Sequence, residues 1–351
     1  MGFLRMIKVN VFTMAYNAQQ TIGRTIESVL NQTFGNLEYY ILDNGSEDQT
    51  WNTILKYSGK DKRIVPLNVS KNDPTNGWAI FRVIINCTNA DYVVWCDADD
   101  AYALDFLEHM VRFSEENRLD IAVSGYDKIN GNTGEIEKHK VLENNMIIYG
   151  SIFKDEFIKY RGFISFLWGK LYSSSFLKAA DYVRQPGNAR TCNDTIWVLN
   201  MFRKAERVGI YGKAMYQYYQ YQDSFSHRNI EAGLSSYRDL WAATKEYLEF
   251  YGPISKLNED FLYAIHLSLV KEATENIFIG KMDTEKKLRL LKEVFSDPVW
   301  EDTLKREADE MFLNLAARKE FICDIKDKIL SLTEIGKYSA ERLCLFSYLN
   351  I

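Results

Sequence analysis

The chain has 351 residues, of which 46% are hydrophobic and 14% aromatic, so it can form a large buried core. Its net charge of −5 offers no basic face for nucleic acid, which we exclude as a partner. The five cysteines are scattered without a Cys-x-x-Cys pair, which argues against disulfides and a zinc site. No stretch reaches the ~20 apolar residues of a membrane span, and the N-terminus lacks a signal-peptide pattern. We therefore expect a cytoplasmic protein.

Predicted strands and helices alternate as far as Gly125. This alternation predicts βαβ units, and hence an α/β fold with a mainly parallel sheet. Proline within the third strand pattern indicates a sheet edge or a strand end. The strand patterns cover Ile7–Thr13, Glu38–Leu42, Ile64–Leu67, Tyr92–Cys96 and Ile121–Ser124, and the helical patterns cover Thr21–Gln32, Thr50–Tyr57, Trp78–Cys87 and Leu104–Glu115.

The alternating pattern ends after Gly125. The residues of Gly131–Gly134 predict a hairpin turn between two polar strands. From Ile230 onwards the pattern is helical, with apolar stripes that are typical of a helix-bundle core; one stripe comprises Leu262, Ile265, Leu269 and Val270. We therefore predict an α/β domain over residues 1–228 and a helical C-terminal region over residues 229–351.

Acidic residues are crowded at the end of one predicted strand. The apolar run Tyr92–Cys96 favours a buried parallel strand, and Asp97, Asp99 and Asp100 follow it directly. Such carboxylates repel one another unless a cation lies between them, and Mg²⁺ or Mn²⁺ prefers carboxylate oxygens. The pattern therefore predicts a metal site, with a solvated acidic turn as the alternative.

Two other strand ends carry polar and aromatic residues. Thr13–Asn17 ends the first predicted strand, and Asp43–Ser46 ends the second. In a parallel sheet these segments and the acidic turn share one edge, where ligands of α/β proteins bind. An aromatic ring, short polar side chains and a metal suit the base, ribose and diphosphate of a nucleotide. A turn without a binding role is the alternative for Asp43–Ser46.

In sequence order, these segments resemble the inverting family 2 glycosyltransferases, which have the GT-A fold. The resemblance extends through residues 7–228 and depends on several segments in typical order rather than on any single one. They are Val9–Asn17, Ser28–Phe34, Leu42–Ser46, Asn76-Gly77 with Arg82, Trp168–Tyr172, Asn193–Trp197, Gln217–Tyr219 and Ser224–Ser226. The resemblance implies a GT-A core with a helical C-terminal extension.

The resemblance also implies roles for individual residues. Asp99 would coordinate a metal that bridges the donor diphosphate, Asp97 would assist through the ribose or a metal-bound water, and Asp194 would be the general base. Arg82 would lie near the phosphates or the sugar, and His227 follows a segment where some relatives place a phosphate or metal contact. The residues expected to contact the nucleotide sugar are Met14, Ala15, Tyr16, Asn17, Asp43, Asn44, Arg82, Asp97, Ala98 and Trp168.

The implied chemistry requires these residue types. A leaving nucleoside diphosphate develops negative charge, which a divalent ion stabilises, and a carboxylate must take the proton of the acceptor hydroxyl. The chain departs from the family pattern at Met14, Ala15, Asn44 and Asn193. An amide both donates and accepts hydrogen bonds, so Asn44 leaves the preference for uracil open.

The resemblance implies a metal-dependent enzyme that moves a sugar, most simply from a UDP-sugar, to a cell-surface glycan or lipid-linked saccharide. A sugar nucleotidyltransferase and a non-catalytic nucleotide-sugar-binding module remain the alternatives. Structural roles also remain open: Asp194 as a helix cap, Trp168 as core, and Arg82 and His227 as surface side chains. Self-association and peripheral contact with the inner face of a membrane are left open for the C-terminal helices.

Overall fold

A computed structural model describes residues 6–180, 193–221, 230–279, 282–295 and 299. The chain divides into two compact units. The first comprises Met1–Gln185 and Trp197–Gln222, and the second comprises Pro186–Ile196 and Asp223–Ile351. The domain boundary that the sequence predicts near residue 228 stays a prediction.

Within the described residues, the first unit contains one sheet of ten strands in the order β3-β2-β1-β4-β9-β6-β10-β5, with β7 paired to β6 and β8 paired to β10. The strands are β1 (Val9–Ala15), β2 (Leu37–Asp43), β3 (Ile64–Asn68), β4 (Tyr92–Trp95), β5 (Ala101–Tyr102), β6 (Ile121–Asn130), β7 (Ile136–Lys140), β8 (Met146–Ile148), β9 (Lys170–Ser173) and β10 (Val208–Gln220).

The sheet is mixed, and its parallel part contains the strands that the sequence predicts best. Strands β3, β2, β1 and β4 are parallel neighbours, and β6 is parallel to β10, whereas β5, β7, β8 and β9 pair antiparallel. The register aligns Ala15 with Asp43 and Phe12 with Trp95. The C-terminal ends of β1, β2 and β4 therefore lie at one edge. Strand β3 is at the margin of the sheet, as its proline predicts.

The helices form where the sequence shows helical spacing, with some differences at their ends. The observed helices are α1 (Ile22–Leu30), α2 (Thr50–Ser58), α3 (Pro74–Cys87), α4 (Phe106–Asn117), α5 (Ile152–Asp155), α6 (Phe157–Tyr160), α7 (Ser174–Ala179), α8 (Asn193–Lys204), α9 (Ile230–Phe250), α10 (Lys256–Ile279) and α11 (Thr284–Phe295). A short 3₁₀ helix covers Arg161–Phe163.

The predicted start of α3 and the predicted end of β6 are wrong, and the structure shows the reason for each. Helix α3 begins four residues earlier than predicted, because Asp73 caps it by accepting a hydrogen bond from the Thr75 backbone N–H at 2.8 Å. Proline follows this cap, and proline is favoured in the first turn of a helix. Strand β6 runs six residues beyond the predicted Ser124, because β7 folds back on it as an antiparallel hairpin. The predicted turn at Gly131–Gly134 lies between these two strands.

Aromatic packing fixes α3 against the sheet. The Phe12 ring of β1 lies 4.6 Å from Trp95 of β4 and 5.6 Å from Phe81 of α3, measured between ring centroids. Trp78 of α3 lies 5.5 Å from Trp197 of α8. The rings of Phe12, Trp95 and Phe81 are nearly or fully buried. This packing sets the N-terminal end of α3 near the C-terminal edge of the parallel strands.

The second unit is helical in its described part. The predicted stripe of Leu262, Ile265, Leu269 and Val270 is buried on α10, which confirms its interpretation as helix core. Trp241 of α9 donates a hydrogen bond from Nε1 to the Leu262 carbonyl at 3.1 Å. Among the described residues, no helix combines the length and the apolar character needed to cross a bilayer.

Candidate active site

Hydrogen bonds join the loops that follow β1 and β2. The Asn44 backbone N–H donates to the Ala15 carbonyl at 2.8 Å, and the Asn17 N–H donates to the Ser46 hydroxyl at 2.9 Å. Asn17 has a positive φ of 48°, which asparagine tolerates better than most residues, and its Oδ1 accepts from the Glu47 N–H. Tyr16 between these contacts is 44% exposed. The two loops thus form one surface that presents an aromatic ring to solvent.

Asp43 ends β2 as a buried carboxylate, with 1% of its surface exposed. Its Oδ1 accepts a hydrogen bond from the Ser46 hydroxyl, and its Oδ2 accepts one at 2.8 Å from the Asn68 amide. Each oxygen retains further acceptor capacity, because a carboxylate oxygen carries more than one lone pair. The carboxylate therefore holds the β2 loop and can still accept a hydrogen bond from a ligand.

The Asn44 side chain is 2% exposed and connects β2 to the segment before α3. Its amide nitrogen donates to Asn72 Oδ1 and to the Asp73 carbonyl, each at 3.0 Å. Its Oδ1 accepts from the Asn76 amide at 2.8 Å, and that same amide donates to the Lys71 carbonyl at 3.1 Å. The backbone carbonyls of residues 71 and 73 accept only, so they fix which end of each amide is nitrogen.

The acidic loop, defined here as Asp97–Asp100, connects β4 to β5. One potential ligand atom from each of Asp97, Asp99 and Asp100 lies within 4.8 Å of the others. A hydrogen bond of 3.2 Å from the Asp100 N–H to the Asp97 carbonyl closes the loop. Cys96, just before it, donates its N–H to Phe12 of β1 at 3.0 Å, so the acidic loop lies beside the end of β1.

The three carboxylates lie in a poorly solvated and negatively charged environment. Burial raises the pKa of Asp99, although the Arg24 guanidinium opposes this effect. Burial, together with the charges of Asp99 and Asp97, raises the pKa of Asp100 well above its ordinary value. Burial and the same acidic group also raise the pKa of the Tyr218 hydroxyl to about 12. The site therefore has a surplus of negative charge that a cation would relieve.

The donor set fits a hard divalent cation. Carboxylate oxygens are the ligands that Mg²⁺ and Mn²⁺ prefer. In the described part of the chain, Asp99 and Asp100 form no ion pair with lysine or arginine. Asp97 Oδ1 accepts a hydrogen bond from Trp95 Nε1 at 2.7 Å. Asp97, Asp99 and His227 are the predicted ligands. The structure groups Asp100 with Asp97 and Asp99, and His227 lies outside the described residues.

Arg24 supports the acidic loop from α1 and was not predicted from the sequence. Its guanidinium donates to the Asp99 carbonyl and, at 3.2 Å, to the Tyr221 hydroxyl. It also lies 3.6 Å from the centre of the Tyr219 ring, a cation–π distance. A single arginine within a helix gives no sequence signal for a contact with a loop 75 residues away.

Trp168 is located in the interior, where 4% of its surface is exposed. Its ring is stacked on Tyr216 at 4.3 Å and on Phe166 at 4.2 Å. Gly169 follows with a positive φ of 66°, which turns the chain into β9. The contact of Trp168 with a donor stays a prediction, whereas its packing against β10 is observed.

The remaining predicted residues are distributed over several elements. Met14 lies against α3, where a Cβ added to Gly77 would come 2.5 Å from the Met14 sulfur, and Ala98 is buried within the acidic loop. Arg82 is exposed on α3, and Asp194 is in the first turn of α8 and is partly exposed. His227 lies outside the described residues.

Part of the chain matches a known protein family. Residues 10–175 match the family described as Glycosyl transferase family 2. The matched segment contains the loops after β1 and β2, the acidic loop and Trp168. The resemblance to the family 2 glycosyltransferases that was inferred from the sequence is thus confirmed for this segment.

Known proteins share parts of the sequence and the fold. The Escherichia coli glucosyltransferase WfaP is 33% identical over 119 residues, which cover 34% of this chain and 45% of WfaP. The poly(ribitol-phosphate) beta-N-acetylglucosaminyltransferase TarP of Staphylococcus aureus is 26% identical over 261 residues, covering 72% of this chain and 76% of TarP. A crystal structure of S. aureus TarS 1–349 with UDP-GlcNAc has a TM-score of 0.66 at 17% identity and covers 95% of this chain and 93% of that one.

These comparisons confirm the predicted GT-A fold. The chain nevertheless spans only 30%, 50% and 45% of the length of three curated relatives, WfaP among them.

Proposed function

We propose that the protein transfers a sugar from a nucleotide-sugar donor, most simply a UDP-sugar, to a hydroxyl group of a glycan or lipid-linked saccharide. The observation that carries this proposal is the acidic loop at the edge where β1, β2 and β4 end, within a family 2 domain. That edge brings a potential cation site beside side chains suited to a base and a ribose.

The hydrogen bonds of Asn44 support a base that presents an N–H group. Both hydrogens of its amide nitrogen are used, by Asn72 and by the Asp73 carbonyl. Its oxygen accepts from Asn76 and has one lone pair left. In any contact with a base, Asn44 therefore acts as an acceptor. The N3–H of uracil can donate to such an acceptor, and so can the exocyclic N4–H₂ of cytosine.

The leaving diphosphate is the group that the acidic loop would serve. A divalent cation held by Asp97 and Asp99 would stabilise the negative charge of the diphosphate as a Lewis acid. The buried carboxylate of Asp100 adds charge beside these two ligands and accepts hydrogen bonds from β10. Arg82, exposed on α3, is proposed to contact the phosphates or the sugar.

We propose Asp194 as the general base. It lies in the first turn of α8 and is partly exposed. A carboxylate that takes the proton of the acceptor hydroxyl makes that oxygen a better nucleophile. Attack in line with the departing diphosphate inverts the anomeric centre in one displacement. One base suffices, and no covalent intermediate with the protein forms.

The acceptor is proposed from the named activities of the relatives. The name of WfaP specifies a GlcNAc-diphosphoundecaprenol acceptor, and that of TarP specifies poly(ribitol-phosphate). We propose an acceptor of the same broad class: a saccharide on a lipid diphosphate or a polymer of the cell surface. Such an acceptor is consistent with peripheral contact at the inner face of a membrane.

The test is release of the nucleoside diphosphate from a panel of UDP-, GDP- and CDP-sugars, with Mn²⁺ or with a chelator. We expect slow UDP release from one UDP-sugar, in Mn²⁺ only, and faster release when the acceptor is added. Formation of a nucleotide sugar and pyrophosphate from a sugar phosphate and a nucleoside triphosphate would identify a nucleotidyltransferase instead. Nucleotide-sugar binding without turnover under every acceptor condition would identify a binding module.

A further inference from the structure

The hydroxyl of Tyr216 connects the two ends of the acidic loop. It donates to Asp100 Oδ2 at 2.7 Å and accepts from the Asp97 backbone N–H at 3.2 Å. Tyr216 itself is 1% exposed. We propose that Tyr216 is a positioning residue, whose hydroxyl holds the acidic loop in the conformation that binds the cation. This inference rests on the proposed function, because it concerns the cation site of the same reaction.

A single hydroxyl can hold both ends because it is a donor and an acceptor at once. Its donor proton goes to the carboxylate of Asp100, and its oxygen receives the N–H of Asp97. The second oxygen of Asp100 accepts from the Tyr219 N–H at 2.8 Å, so β10 contacts this carboxylate twice.

The loop needs such a restraint because its charges oppose its closed conformation. Three carboxylates whose ligand atoms lie within 4.8 Å repel one another while no cation is between them. A loop that opens in the metal-free protein must close again on binding, which reduces the apparent affinity by the fraction of closed loops. The Tyr216 hydroxyl therefore acts before the cation binds, by keeping the ligand atoms together.

Aromatic packing keeps the hydroxyl in place. The Tyr216 ring is stacked on Trp168 with centroids 4.3 Å apart and planes 3° from parallel. On another side, it meets Tyr102 edge to face at 5.6 Å, and Tyr102 is its register partner in β5, immediately after the acidic loop. The ring is thus fixed by Trp168 and by the strand that the loop enters. Trp168 has an indirect role in this arrangement, through the position of Tyr216.

The substitution Tyr216→Phe removes one oxygen and keeps the ring, so the stacking on Trp168 is preserved. We expect the dissociation constant of Mn²⁺, measured by calorimetry on the full chain without nucleotide, to rise about 10-fold to 100-fold, the usual effect of losing a residue that orients metal ligands without touching the metal. Saturating Mn²⁺ should restore most of kcat, because a positioning residue does not touch the reacting atoms.

Tyr160→Phe is the matched control. Tyr160 is also fully buried, and its hydroxyl donates to the Phe153 carbonyl, within the segment of α5 and α6. Each variant therefore loses one buried hydroxyl, with two hydrogen bonds lost in Tyr216→Phe and the bond to the Phe153 carbonyl lost in Tyr160→Phe. We expect both variants to lose thermal stability, but the Mn²⁺ affinity to stay unchanged in Tyr160→Phe. A purely structural role for Tyr216 predicts that the two variants behave alike.

The outcomes separate this inference from the proposed function. If the unmodified chain binds Mn²⁺ and folded Tyr216→Phe binds it equally well, the positioning role is wrong, although the glycosyltransferase proposal stands. If the unmodified chain binds no Mn²⁺, both fail. Should Tyr216→Phe not fold, Trp168→Phe decides, since it keeps the hydroxyl but reduces the ring that fixes it. Weaker Mn²⁺ binding then supports the role, and unchanged binding overturns it.

Discussion

Replacing Asp99 by asparagine tests the acidic loop most simply, because it removes one negative charge and preserves the shape. Two unit charges 4.8 Å apart, the span of the cluster, interact by about 3.5 kcal/mol at an effective dielectric constant of 20. Loss of one charge should therefore raise the dissociation constant of a divalent cation by at least ~100-fold, since each 1.4 kcal/mol of binding free energy corresponds to a factor of ten.

The assay is thermal unfolding with Mn²⁺ and a UDP-sugar at about 100 times the dissociation constant of the unmodified chain. Binding at that concentration stabilises the native state by ~2.7 kcal/mol. For a domain of this size, the melting temperature should rise by about 5–10 °C. In Asp99→Asn the ligand binds ~100-fold more weakly and stabilises the native state by only ~0.4 kcal/mol. The melting temperature should then rise by only ~1 °C.

Asp61→Asn serves as the control for Asp99→Asn. Asp61 pairs with Arg63 at 2.7 Å just before β3, so its removal deletes the same charge at the opposite end of the parallel strands. Its own melting temperature can change, but the increment from Mn²⁺ and the UDP-sugar should equal that of the unmodified chain. A full increment in Asp99→Asn, or an equal loss in both variants, would refute the assignment of the cation to the acidic loop.

Three further substitutions have defined outcomes. Asp194→Asn should keep the calorimetric affinity for the donor but lose ~10²–10⁴-fold in transfer rate, and retained turnover would assign the base elsewhere. Gly45→Ala should lower the free energy of unfolding in urea by at least ~1–2 kcal/mol, because φ of Gly45 is +75° and the new Cβ would lie 2.7 Å from the backbone nitrogen of Asn72. An unchanged free energy of unfolding would contradict this strain. Lys170→Met should cost ~1–3 kcal/mol, since the buried ammonium binds carbonyls of the preceding loop, and an unchanged melting temperature would argue against that role.

The sequence predicts the part of the site that depends on local patterns. Apolar runs followed by polar turn residues locate the ends of β1, β2 and β4, and parallel strands bring these ends to one edge. The acidic loop follows from this reasoning, because Asp97 and Asp99 come directly after a buried strand. Asp43 and Asn44 are located in the same way.

The supporting contacts were not predictable, because they join residues that are far apart in the chain. Tyr216 bonds to Asp100 across 116 positions, and this pairing depends on the antiparallel contact of β5 with β10. Nothing in the tyrosine-rich pattern around β10 distinguishes the hydroxyl of Tyr216 from that of Tyr218. The orientation of Asn44 likewise depends on backbone carbonyls before α3, which no residue type reveals.

The most direct measurement is a crystal structure with Mn²⁺ and a UDP-sugar, with the metal located by its anomalous signal. The account predicts one strong peak in contact with Asp97, Asp99 and the diphosphate, and a uracil ring beside Tyr16 and Asp43. A nucleotide bound with its diphosphate away from the acidic loop, or a peak at other ligands while Asp99 points elsewhere, would contradict it.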